Sequence, residues 1–109
     1  MSMRTVNLAS FAPSKSDPAR LARLTRHLEA RLQDFGPGGP EVRSADQESG
    51  LVRARFAGRS PKALAEALEH RFGILVQTEG EDVVFQLTPE IPFEDLDYVW
   101  GCLFQVLGE

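Results

Sequence analysis

Cysteine is nearly missing from this 109-residue chain, and the single one, Cys102, excludes an internal disulfide. Histidine is almost as scarce: His27 and His70 stand far apart and form no recognised metal-ligand spacing with Cys102. Long hydrophobic runs are missing as well, since no stretch reaches the ~20 apolar residues needed to span a bilayer. The opening "MSMRTVNLASFAPSKSD" has no apolar centre of the kind a signal peptide carries. These shortages predict a cytoplasmic protein with no membrane segment and no zinc site. Base is absent from one end: residues 72–109 hold eight acids and no Lys or Arg, whereas residues 1–71 hold all 12 bases against eight acids. The net charge of −4 therefore conceals a division into +4 and −8. Such polarity either steers a partner or joins basic and acidic faces inside one fold.

What is present suits a globular protein. Hydrophobic residues make up 42% and charged residues 26%, and the length predicts one domain over 1–109. Val6 and Leu8 alternate in a short strand within 4–11. A first helix follows, capped by Ser16 or Asp17, opened by Pro18, and buried along Leu21, Leu24, Leu28, Leu32 and Phe35. "GPGGP" at 36–40 ends it as a loop. Residues 41–45 form a short edge strand, and 51–57 a half-buried one, with Val52, Ala54 and Phe56 alternating with Arg53 and Arg55. A second helix runs from the Ser60 cap and Pro61 to a left-handed stop at Gly73, with Leu64, Leu68 and Phe72 inward. "GILVQ" and "DVVFQL" then make an antiparallel hairpin across "TEGED". The expected class is α+β, in the order βαββαββα: a four- to five-stranded, mostly antiparallel sheet with three helices mainly on one face.

The third helix begins near Phe93, with Glu94, Asp95 and Asp97 at the positive end of its dipole. Leu96, Val99, Trp100, Leu103 and Leu107 share one side, flanked by Phe93 and Phe104 on one edge and by Cys102 and Val106 on the other. This apolar arc spans roughly 200 degrees, about twice what a helix lying on one core requires. Gly101, on the polar side, costs about 1 kcal/mol relative to alanine, which close approach of another backbone would justify. Three covers are open: a second copy, a foreign partner, or a loop or strand of the same chain. An intermolecular cover would involve Phe93, Tyr98, Cys102, Phe104 and Val106. Arg20, Arg23 and Arg31, with His27, line one face of the first helix, and Arg53 and Arg55 the outer side of a strand. These either contact anions or form solvated polar faces, and the acidic total argues against nucleic acid.

The run from Leu51 to Leu107, with "ALEHRFGILV", "DVVFQLT" and "FEDLDYVWGCL", resembles the small C-terminal domain of fold-type I pyridoxal-phosphate enzymes, the class V aminotransferases and cysteine desulfurases in particular. The resemblance implies strand, helix, hairpin, threonine-containing link and final helix. It covers none of the large domain that supplies the Schiff-base lysine, the acid on the pyridine nitrogen and the phosphate cup in that family. The only lysines, Lys15 and Lys62, sit in polar surroundings, and Val84 stands where the family often places a carboxylate-binding arginine. No catalytic or cofactor-binding residue is therefore expected on this chain. The function expected is a non-catalytic interaction or oligomerisation domain, as a homodimer or on a larger protein. The alternatives are a small subunit of a split enzyme, whose partner would bring the pyridoxal phosphate, and an anion-binding module.

Overall fold

A computed structural model describes residues 5–9, 17–36 and 38–108. Lys15, Ser16, Pro37 and the outer parts of the 4–11 segment lie outside the described residues. The chain is α+β, as its sequence predicts: the described residues form three helices, a four-stranded antiparallel sheet and a two-stranded parallel one.

The helices start and stop where local chemistry directs. In α1 (Pro18–Gln33) the Asp17 carboxylate accepts from the Arg20 N–H at 3.0 Å and proline occupies the first turn. In α2 (Pro61–Phe72) the Ser60 hydroxyl accepts from the Ala63 N–H at 3.3 Å, and Gly73 at φ 71° closes the helix by donating to Glu69 O. No side chain caps α3 (Phe93–Leu107), whose first turn instead carries Glu94 and Asp95.

Strands β1 (Val6–Asn7), β2 (Glu41–Asp46), β3 (Leu51–Arg55), β4 (Ile74–Leu75), β5 (Gln77–Glu79) and β6 (Asp82–Gln86) form two sheets. The antiparallel order is β2-β3-β6-β5, with Val52 opposite Phe85 and Ala54 opposite Val83 on the inner face. Arg53 faces Val84, and Arg55 faces Asp82, on the outer face. Alternation places Val52, Ala54, Val83 and Phe85 in the core with the buried leucines of the helices. The core thus sits on one side of the sheet. On that side α1 lies over β2 and β3, α2 lies over β4, β5 and β6, and α3 packs against both helices.

The predicted strand "GILVQ" is two strands, which makes the order βαββαβββα. Only β5 pairs with β6; at Val76 the segment leaves its hairpin partner, and β4 pairs in parallel with β1. Strand β1 is the wedge that causes this. Leu8 donates its N–H to Leu75 O and accepts from Gln86 N–H, both at 2.8 Å, so it fills the opened end of the hairpin from between. Parallel pairing needs a long crossover, here supplied by everything from α1 to α2.

Gly50, between β2 and β3, occupies a position that no other residue fits. Its φ is +74°, its N–H donates to Asp46 O and its carbonyl accepts from Leu87 N–H. A Cβ there would stand 2.7 Å from Leu21 Cδ1 and 2.8 Å from Leu87 O.

Candidate interaction surface

Helices α1 and α3 run side by side in the same direction, because their contacts advance together. Arg20 lies over the Phe93 ring, His27 meets Phe93 and Asp97, Arg31 meets Asp97 and Trp100, and Phe35 meets Trp100 and Phe104. Arg20 also donates to the carbonyls of Pro89 (2.6 Å) and Ile91 (3.0 Å), pinning the proline link from which α3 starts. At the centre of the seam Asp97 accepts from Arg31 Nε at 3.0 Å and shares a 2.8 Å hydrogen bond with His27 Nε2. The His27 bond is the main cause that holds the Asp97 carboxyl below its usual range; desolvation opposes it, and Arg31 adds a hydrogen bond and a positive charge.

The wide apolar arc of α3 is explained by this position between two helices. Leu96, Val99 and Leu103 point into the core; Phe93 and Trp100 lean on α1. On the other flank Val106 borders Leu64 and Ala67 of α2, and the Tyr98 hydroxyl donates to Phe72 O at 2.8 Å. Cys102 and Val106 are buried within the protomer itself, and Phe93 and Tyr98 are partly buried. Of the five residues expected at an intermolecular cover, four are thus largely covered by the chain's own helices, a cover that a helix's own pattern does not disclose. Phe104 is the exception. It is 60% exposed, and no other large hydrophobic among the described residues is so open.

Phe104 crowns an aromatic group with Phe35 and Trp100, its ring centroids 6.0 and 5.5 Å from theirs. The Trp100 indole N–H beneath is buried with no hydrogen-bond partner, which marks the group as held by packing. Beside it a shallow cleft of about 200 Å³ opens between Phe35, Gly38, Gly39 and the last turn of α3. One turn before Phe104 stands Gly101, where an added Cβ would meet no atom within 4 Å. Within the protomer, therefore, no backbone approaches it.

The arginines singled out by the sequence are mostly engaged. Arg20 holds the link before α3 and Arg31 holds Asp97; on the outer sheet face Arg53 pairs with Glu79 and Arg55 with Glu81. Arg43, which the sequence did not mark, reaches Asp82 at 3.9 Å from the irregularity between Val42 and Ser44 on edge strand β2. The basic part and the acidic C-terminal third thus neutralise each other across the fold. Only Arg23 of that set is exposed and without an ion pair among the described residues. Lys62 is exposed in the first turn of α2. Among the described residues no cluster of three His, Cys, Asp or Glu side chains is placed to hold a metal ion, and no helix is long and apolar enough to cross a membrane.

No protein-family model matches the chain, and no curated protein matches its sequence.

Proposed function

We propose that the chain is a non-catalytic interaction domain that docks through the outer face of α1 and α3. The observation that carries this reading is the pairing of Phe104, 60% exposed, with Gly101, one turn away and open to an approaching backbone. An exposed phenylalanine forgoes part of the ~1.5–3 kcal/mol that full burial of such a side chain returns, and a mid-helix glycine costs about 1 kcal/mol more than alanine. Neither cost is offset inside the protomer, and one approaching surface offsets both. The resemblance of Leu51–Leu107 to the small domain of aminotransferases agrees with this role, since that domain works packed against a larger body. The paired state of Arg31, Arg53 and Arg55 weighs against an anion-binding module built on them.

A photo-crosslinking side chain, p-benzoylphenylalanine, placed at Phe104 tests the reading in the cells that make the protein, with the same group at exposed Glu66 on α2 as control. Adducts of discrete mass from position 104 and none from position 66 are expected. Equal labelling at both, or none at 104, overturns the docking face.

A further inference from the structure

We infer that the occupant of this face is a second copy of the chain, related by a two-fold axis that runs along α1 and α3 and sets α1 of each copy over α3 of the other. The inference rests on the docking reading above and adds the identity and orientation of the partner.

The two helices present outward faces of opposite charge. From α1 the exposed residues include Ala19, Arg23, Arg26 and Ala30; from α3 they include Glu94, Asp97, Gly101 and Phe104. Arg23, Arg26 and Glu94 have no ion pair among the described residues, so the face carries free base on one half and free acid on the other. A surface divided in this way is complementary to itself, which is the condition for an isologous contact.

The level of each group along the helices then fixes which axis brings opposite charges together. Arg20 lies over Phe93, and His27 meets both Phe93 and Asp97, so Arg23 between them stands within about a turn of the level of Glu94. Arg31 bonds Asp97 and lies over Trp100, so Ala30 stands within about a turn of the level of Gly101, and Phe35 stacks on Phe104 one turn further on. A two-fold axis parallel to the helices preserves level and exchanges halves. It sets Arg23 against the second copy's Glu94, and brings small Ala30 within about a turn of the second copy's Gly101. It also brings Phe104 against the second copy's Phe35, at the mouth of the cleft. An axis across the helices would instead oppose α1 to α1 and α3 to α3, base to base and acid to acid. The close approach that Gly101 permits thus falls at the middle of the contact, between a charged end and an aromatic end.

Sedimentation equilibrium of the full chain tests this. At low salt, about 50 mM, the wild type is expected to approach twice the 12.1 kDa protomer mass, and at about 500 mM its dissociation constant is expected to rise several-fold as the charged end is screened. Arg23→Glu and Glu94→Arg each oppose like charges twice and are expected to weaken the dimer about tenfold or more, while an equimolar mixture of the two restores both contacts and the wild-type mass. Unchanged circular dichroism shows that the swapped chains still fold. A wild type that remains at 12.1 kDa at about 1 mM overturns the second copy, as does a crosslink from position 104 to a different protein, and both leave the docking face standing. A dimer indifferent to both swaps, or swaps that the mixture does not rescue, overturns the proposed axis.

Discussion

Two glycines in this molecule have opposite reasons for being glycine. At Gly50 the backbone is left-handed and the space is closed, so Gly50→Ala is expected to cost about 2–4 kcal/mol in urea unfolding, from the strained φ and the collision with Leu87 O together. At Gly101 the backbone is helical and the space is open. Gly101→Ala is expected to raise protomer stability by about 0.5–1 kcal/mol, read from melting at dilution, while weakening association at high concentration. A substitution that stabilises the fold and loosens the assembly separates the two roles of one position. Asp97 gives a pH-dependent test. Its carboxyl is held below the unfolded-state value of about 3.9, so the stability it contributes is full above that value and is lost as pH falls through the lower, folded one. Unfolding midpoints of wild type and Asp97→Asn are expected to differ while the Asp97 carboxylate is ionised and to converge in stronger acid. The difference is modest, because the Asp97 side chain is 46% exposed and water screens the pair.

Among the elements, β1 contributes more than its two residues suggest. Leu8, just past its end, is fully buried and bonded to both Leu75 and Gln86. Leu8→Ala is expected to cost about 2–5 kcal/mol and to speed hydrogen exchange at the Gln86 amide, which Leu8 O accepts. The three helices were legible in the sequence because each carries its own punctuation, Asp17–Pro18, Ser60–Pro61 and Gly73, or acids in the first turn of α3. The division of 74–79 at Val76 was not, because Ile74, Leu75 and Val76 form one apolar run and what parts them is β1, some 70 residues earlier. The same limit applied to α3. Its 200-degree arc was readable, but an arc describes a helix and not its neighbours, and α1 and α2 fill most of it. Phe104 stood out in the sequence no more than Cys102 or Val106. Only the course of the flanking helices separates them. The pairs of Arg53 with Glu79 and Arg31 with Asp97 join residues too distant for any local spacing to announce them.

For the molecule as a whole, the positive and negative parts of the chain are folded against one another, and the α1/α3 face keeps free charge of both signs beside exposed Phe104. The opposite face of the sheet is finished: Arg53, Arg55 and Arg43 lie across it with their acids, and the irregularity at β2 disrupts the ladder at that edge. The wedge of β1 has a consequence for how the chain is made. Val6 must find Ile74, and Leu8 must find Gln86, across nearly the full span between them. The slot that receives them forms only when the β5–β6 hairpin has been synthesised and has left the ribosome. The segment translated early therefore cannot be seated until the later strands are made, and until then the backbone groups of Leu75 and Gln86 that it meets lack their native partner.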